Sequence, residues 1–168
     1  DGSESRNISI MDQDGFAHRY LTNDKDIVIT PRFSPNAQSL LYLSYKNGLD
    51  PHVYILNTKT KFSRVLGDFS GMSYAPRYID ALNVLLAVSK KGVSNIYRLN
   101  LNNMKKKQMT FCSSICTSPS VSPDKKQIVF NSDMGGSRQI YVMGIDGKNM
   151  ERISFKEGQY SSPLWSPR

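Results

Sequence analysis

The chain has 168 residues, of which 39% are hydrophobic, and its 22 Lys and Arg against 14 Asp and Glu give a formal net charge of +8. The longest apolar run, residues 84–88, is far too short to cross a bilayer, so we expect no membrane insertion. The lysines lie in scattered pairs and one triplet, with no recognition helix, aromatic stacking platform or basic stripe, so we expect no nucleic-acid binding.

A proline-based motif recurs four times along the chain. Its copies read PRFSP, PRYID, PSVSP and PLWSP, and they begin at residues 31, 76, 119 and 163, with steps of 45, 43 and 44 residues. A period of this length is typical of repeat folds in which each unit is one supersecondary element.

Short strands rich in β-branched, aromatic and aliphatic residues lie between these motifs, and we name them A to D within each unit. The chain starts with a strand C at 8–11 and a strand D centred on Leu21. Three units with all four strands follow, and the last proline motif begins a further strand A. Strand A is the proline motif itself; strands B are predicted at 40–44, 85–89 and 128–132, strands C at 53–56, 96–99 and 140–143, and strands D around Leu66, Met109 and Ile153.

The spacing between these strands predicts the architecture. The steps from C to D, from D to A and from A to B are 13, 10 and 9 residues in every copy, whereas the step from B to C varies between 11 and 13. Turn dipeptides such as Asp14-Gly15 and Asp146-Gly147 suit tight hairpins between strands C and D. Four-stranded antiparallel units of this length are typical of β-propeller blades, and a β-sandwich gives no reason for the fixed spacing.

The predicted fold is therefore an all-β propeller fragment. Residues 1–30 would be strands C and D of a preceding blade, residues 31–75, 76–118 and 119–162 three complete blades, and residues 163–168 the first strand of the next blade. Fifteen strands do not complete a ring of four-stranded blades, so we expect the natural domain to be larger.

Several segments resemble the repeat of the TolB propeller family. These are IMDQDG at 10–15, TPRFSP at 30–35, SRQIYVM at 137–143 and SPLWSP at 162–167, and the similarity extends over the whole chain. The resemblance implies an N-terminal α/β domain and a six-bladed propeller in the periplasm of a Gram-negative bacterium, with this chain as the middle of the propeller.

The resemblance also implies a function. Proteins of this family are non-enzymatic, need no cofactor, act in envelope integrity and cell division, and bind the peptidoglycan-associated lipoprotein Pal. They contact the inner-membrane protein TolA through a segment with no counterpart here, and some colicins exploit them. The generic repeat is shared with the propellers of prolyl-oligopeptidase-like serine peptidases, so a substrate-gating propeller is the alternative.

A candidate partner surface follows from the meander. The B to C and D to A connections leave one end of each blade, which brings residues 24–30, 67–75, 111–118 and 155–162 to that end, and loops on a rigid scaffold commonly bind partners. The resemblance implies lipoprotein contacts from Met72, Ala75 and Thr117, with Ser73, Tyr74, Cys116 and Ser118 beside them. The alternative, that Ala75 and Thr117 only pack strand A, remains open.

The sequence predicts neither catalysis nor a metal site. Only His18 and His52 could act as imidazole bases, and no Gly-x-Ser-x-Gly nucleophile elbow is present. Residues 12–15 resemble the opening of a calcium loop but lack its remaining ligands, so a hairpin turn explains them better. The two cysteines, Cys112 and Cys116, could form a disulfide or remain two thiols.

Overall fold

The computed structural model describes residues 5–23, 25–46 and 50–166. Its regular elements in these ranges are β-strands, and no helix in them is long and apolar enough to span a membrane. The chain divides into two compact units, Asp1–Asp68 and Phe69–Arg168. The all-β class and the four-stranded antiparallel sheets that the spacing predicts are confirmed.

The first unit contains a hairpin and one four-stranded sheet. The hairpin is β1 (Ser9–Ile10) and β2 (Arg19–Tyr20), and the sheet is β3 (Val28–Phe33), β4 (Ser39–Ser44), β5 (His52–Asn57) and β6 (Ser63–Val65), paired in that order. Apolar side chains from both pieces form one core, because alternate residues of each strand point to the same face. The buried members are Ile8, Leu21, Val28, Leu40, Tyr42 and Leu56.

The second unit contains two four-stranded antiparallel sheets. The first consists of β7 (Met72–Tyr78), β8 (Asn83–Lys90), β9 (Val93–Asn100) and β10 (Lys106–Gln108), and the second of β11 (Cys116–Val121), β12 (Gln127–Ser132), β13 (Gln139–Gly144) and β14 (Glu151–Arg152). Strand β11 packs against β7, β8 and β9. Between the sheets lies a core of Ile79, Leu85, Ile96, Met109, Cys112, Cys116, Ile128, Phe130, Tyr141 and Met143.

The outer strands end earlier than predicted. The residues expected at the centres of strands D are Leu21, Leu66, Met109 and Ile153, and each follows the last residue of its observed strand. Each still donates its backbone N–H to a strand C carbonyl at 2.7–2.9 Å. They extend the ladder beyond the assigned strands. Leu21, Leu66 and Met109 are buried, whereas the side chain of Ile153 is 49% exposed.

The inner strands start before the prolines and contain a bulge at each one. The pairing register shifts between Ile29 and Arg32, between Tyr74 and Arg77, and between Thr117 and Ser120. Proline has no N–H to donate to the ladder, and a bulge accommodates it at the edge of a sheet. The residue before each proline has a left-handed backbone, with φ of 54° at Thr30, 50° at Ala75, 53° at Ser118 and 52° at Ser162.

Residues 163–166 of the fourth proline motif belong to no strand in the described chain, and the further strand A expected there stays a prediction. Strand A pairs with strand B of its own blade, and residues 163–166 have no such neighbour within the described part of the chain. This segment is attached differently, because Trp165 Nε1 donates a hydrogen bond to the carbonyl oxygen of Ser120 at 3.2 Å. Pro167, the last residue of the motif, lies outside the described residues.

Asp80 organises the one A to B turn that lacks the serine and proline of the other copies. Its carboxylate accepts hydrogen bonds from the Leu82 N–H at 2.8 Å and from Asn83 Nδ2 at 2.9 Å. Burial raises the pKa of Asp80, but the hydrogen bonds from Asn83 and Leu82 outweigh it, so the pKa lies below its ordinary value. In the equivalent turn of the next copy, the Ser122 hydroxyl accepts from the Gln127 N–H, so a side-chain oxygen accepts a hydrogen bond within both turns.

Candidate partner-binding surface

Four of the predicted contact residues open strand β7. Ser73 is buried, with 2% of its surface exposed, whereas Met72, Tyr74 and Ala75 are half-buried. The Tyr74 hydroxyl lies 2.7 Å from the Ser94 hydroxyl at the start of β9, which fixes the tyrosine ring across its own sheet. Met72, Tyr74 and Ala75 are therefore the residues of this group whose side chains a partner could reach.

The other three predicted residues open strand β11. Cys116 is fully buried, whereas Thr117 and Ser118 are half-buried. Thr117 pairs with Asn131 across β11 and β12, and Asn131 is 1% exposed. Within the described chain, the buried Thr117 Oγ1 and Asn131 Oδ1 have no hydrogen-bond partner.

The two groups of predicted residues occupy the same position in neighbouring sheets. Ala75 and Ser118 each precede a proline, and both have a left-handed backbone. Because β11 packs against β7, the structure brings the openings of the two inner strands together in the second unit. The left-handed conformation recurs at every proline motif, so it belongs to the repeat rather than to a partner site alone.

Cys112 and Cys116 form a disulfide that closes the connection into β11. Their Cα atoms are 6.2 Å apart, within the range that a disulfide requires. Both residues belong to the core of the second unit, so the bridge lies between its two sheets. The sequence alone left the bridge and two thiols as alternatives, and the structure contains the bridge.

Asn95 holds the same connection from the neighbouring strand β9. Its Oδ1 accepts hydrogen bonds from the Cys112 N–H at 2.7 Å and from Thr110 Oγ1 at 3.0 Å, and its Nδ2 donates to the Cys112 carbonyl oxygen at 3.2 Å. Both backbone groups of Cys112 are thereby paired with one side chain. The Thr110 hydroxyl in turn accepts a hydrogen bond from the Ile96 N–H at 2.8 Å, which links these contacts to strand β9.

Two further contacts fix the residues between the cysteines. The Ser94 N–H donates to the Ser114 carbonyl at 2.9 Å, and the Ile115 N–H donates to Asp133 Oδ1 at 2.7 Å. The Ser114 hydroxyl beside the carboxylate and the Ile115 amide hold the pKa of Asp133 below its ordinary value. The connection is thus anchored on β9, on the residue that follows β12, and through its own disulfide.

Asn95 is a residue that the sequence interpretation missed, although the repeat contains a signal for it. In three of the four copies, an amide residue precedes the first core position of strand C and a hydroxyl residue follows the last core position of strand D; the remaining copy has His52 and Gly67 there. The same contact joins Thr22 to Asn7 and Ser154 to Gln139. A comparison of the four copies at this pair of positions would have found it.

In the part of the chain that the structure describes, no three His, Cys, Asp or Glu residues come together as a possible metal site. His18 lies against Tyr20, with ring centroids 5.2 Å apart, and His52 opens strand β5. Of the four connections expected at this end, the first begins at Asp24, which lies outside the described residues.

Comparisons with known proteins identify relatives of the chain. A family model described as the TolB beta propeller domain matches residues 1–168. The Tol-Pal system protein TolB of Pelagibacter ubique (strain HTCC1062) is 50% identical over 70 residues, which are 42% of this chain and 16% of the relative.

Solved structures give the same result for the fold. The crystal structure of TolB from Acinetobacter baumannii is 29% identical, with a TM-score of 0.80, over 93% of this chain and 39% of that one. A puromycin-hydrolyzing peptidase of Mycobacterium tuberculosis, 13% identical, has a TM-score of 0.73 over 91% of this chain and 26% of that one. The chain spans well under half the length of these relatives.

Proposed function

The chain belongs to the TolB β-propeller family, and on that premise we propose that it acts as a protein-interaction scaffold of the Tol-Pal envelope system. In this role it binds the lipoprotein Pal through the openings of strands β7 and β11, and it contributes to envelope integrity and cell division. TolA would be contacted by a segment outside this chain, and colicins that exploit the family could use it as well.

One observation carries the proposal for the binding surface. Met72, Ala75 and Thr117, the contacts implied by the family resemblance, are half-buried and uncharged, and they lie on inner strands that pack against each other. The bulge holds the backbone next to the first proline of each motif in one conformation. Little conformational entropy would therefore be lost when a partner binds these residues.

The disulfide supports a periplasmic location. Disulfides persist in oxidising compartments such as the bacterial periplasm and are rare in the cytosol. Cys112 and Cys116 are both buried in the core of the second unit, where the bridge joins residues of one structural connection. A structural bridge of this kind fits a protein that folds outside the cytoplasm.

A non-enzymatic role without a cofactor fits the chemistry of the surface. The side chains at the openings of β7 and β11 are hydroxyl, phenol, disulfide, thioether and methyl groups, and the phenol of Tyr74 is paired with the Ser94 hydroxyl. General acid-base catalysis needs a titratable group that is free to reach the substrate. The likeness to the peptidase propeller, at 13% identity, extends to the fold and favours no peptidase activity.

The direct test is isothermal calorimetry of the full-length protein with the periplasmic domain of Pal. We expect saturable binding with one partner per propeller. Absence of heat, together with absence of complex in size-exclusion chromatography, would rule out the proposed function.

The surface is tested with Met72→Ala, which shortens one contact, and with Thr117→Ile, which enlarges a side chain at the other strand opening. We expect Met72→Ala to weaken binding by about tenfold, because contacts at the centre of an interface cost more than about 1 kcal/mol when truncated. Thr117→Ile should weaken binding as well, because its larger side chain takes up space at the interface. Leu82→Ala, in the turn at the opposite end of β7, is the control and should bind normally. Equal affinities for all four proteins would show that the partner binds elsewhere.

A further inference from the structure

Phe111 stands out among the residues of the connection into β11. Its side chain is 81% exposed, although both following cysteines are buried. Single exposed apolar residues are ordinary in proteins, so exposure alone has no functional meaning. The relevant features are the backbone that presents this ring and the surface around it.

The backbone on both sides of Phe111 is held in place. Before it, Thr110 is fully buried and bonded to Asn95 through its hydroxyl. After it, Cys112 is bonded to Asn95 through both its N–H and its carbonyl, and to Cys116 through the disulfide. An aromatic ring on such a backbone loses only its own side-chain freedom on binding, which favours affinity.

The disulfide also places Phe111 beside the proposed contacts. The Cα atoms of Cys112 and Cys116 are 6.2 Å apart, and each is followed or preceded by a neighbour whose Cα lies about 3.8 Å away. The Cα atoms of Phe111 and Thr117 are therefore no more than about 14 Å apart, by the sum of these distances. One protein partner of ordinary size covers both residues.

The surroundings of the ring define the chemistry of the partner. Residues 110–118 contain no charged side chain, in a chain whose net charge is +8. An anionic ligand would find no cation among these residues, whereas an uncharged apolar pocket of a protein would bury the ring without desolvating a charge.

Other phenylalanines of the second unit lie in different surroundings. Phe69, in the connection into β7, packs its ring 5.6 Å from that of Tyr97, and the Lys106 ammonium lies 4.7 Å above it. Phe155 occupies the same repeat position as Phe111, but the Arg152 guanidinium lies 5.6 Å from its ring and Lys156 follows it where Phe111 has Cys112.

We propose that Phe111 is an apolar anchor of the partner interface, inserted into an uncharged pocket of the protein that binds Thr117 and Ser118. This rests on the proposed function, with Pal as the partner. The disulfide and Asn95 act as positioning groups, because they hold the ring and the opening of β11 in one rigid patch.

The test compares Phe111→Ala with Phe16→Ala in the full-length protein, using calorimetry with the periplasmic domain of Pal. Phe16 is 76% exposed in the turn between β1 and β2, so its substitution matches the chemistry outside the proposed interface. We expect Phe111→Ala to weaken binding by about tenfold or more and Phe16→Ala to leave it within twofold, with unchanged melting temperatures.

A second variant, Phe111→Leu, keeps an apolar side chain and should recover part of the affinity. If the wild type binds Pal and Phe111→Ala binds it equally well, Phe111 is not an anchor of the interface, whereas the proposed function stands. If the wild type does not bind, both are overturned, and the melting temperatures establish that the proteins were folded.

Discussion

Residues 69–75 and 112–118 are equivalent segments of the repeat, and both lead into the inner strand of a sheet in the second unit. They have the same length, they end in Ala75 and Ser118, and these residues have nearly the same φ, 50° and 53°. In the repeat, Phe69 and Ser73 occupy the positions that Cys112 and Cys116 occupy in the next copy.

The two segments are held by different means. The first relies on the packing of Phe69 against Tyr97 and on a glycine, Gly71, that passes close to β8. The second is closed by the disulfide and clamped by Asn95. Repeat length and the proline bulge thus set the path of the chain, whereas a few side chains decide how rigidly that path is held.

The largest effect is expected for a substitution of Gly71, because the first segment leaves no space for a side chain at this position. A Cβ on Gly71 would collide with the carbonyl oxygen of Ser89, which is backbone and cannot turn aside. Gly71→Ala should lower the free energy of unfolding by about 2–3 kcal/mol, as overpacking does in other proteins. Urea denaturation of this variant and of the wild type measures the difference.

Gly135→Ala is the matched control for this substitution. Its added Cβ would meet only side-chain atoms of Arg152 and Tyr141 at 3.5 and 3.6 Å, which are ordinary contacts. We expect a change within about 0.5 kcal/mol. Equal losses for the two variants would mean that the approach of Gly71 to β8 does not constrain the first segment.

The next effect concerns the second segment. Cys112→Ser combined with Cys116→Ser opens a five-residue loop, and the loss of chain restriction in the unfolded state predicts a destabilisation of about 2 kcal/mol. Hydrogen exchange at the amides of residues 113–118 should become faster, and exchange at residues 70–75 should not change. Wild-type protein refolded under reducing conditions should behave like the double variant. If hydrogen exchange at residues 113–118 of the double variant equals that of the wild type, the disulfide does not hold this segment.

The smallest effect depends on pH. The pKa of Asp133 is below its ordinary value of 3.8 in the folded chain, so its carboxylate stabilises the fold above that value, and this contribution is lost as the pH falls through the folded pKa. Asp133→Asn should therefore be less stable than the wild type near neutral pH, and the two should converge at low pH. Denaturation curves across this range test it, and a constant difference would exclude the carboxylate as the cause.

Much of the fold could be predicted because the signal is local and repeated. The proline motifs and the apolar runs between them placed strands B and C within about three residues of their observed ends. The strands D were placed too late, because Leu21, Leu66, Met109 and Ile153 follow the last residue of each strand, and the first three are buried there. In the interior of a sheet, the buried residues are also strand residues, whereas at the edge a residue can be buried although its strand has already ended.

The candidate site was predicted only in part. A resemblance of sequence segments implied Met72, Ala75 and Thr117, and the structure places them at the openings of adjacent inner strands. It also buries Ser73 and Cys116, which no periodicity in these short segments could separate from their exposed neighbours. Phe111 was part of a predicted loop, but its exposure depends on how the loop is clamped.

The sequence by itself determined the repeat, the four strands in each unit and the fixed lengths of their connections, because turn residues and alternating apolar residues act over a few positions of the chain. Only the tertiary structure decided that Cys112 and Cys116 are bonded, that Asn95 holds the same segment from another strand, and that the residue before the first proline of each motif takes a left-handed conformation. These features depend on distances between atoms that folding brings together, and local patterns of residues along the chain do not reveal those distances.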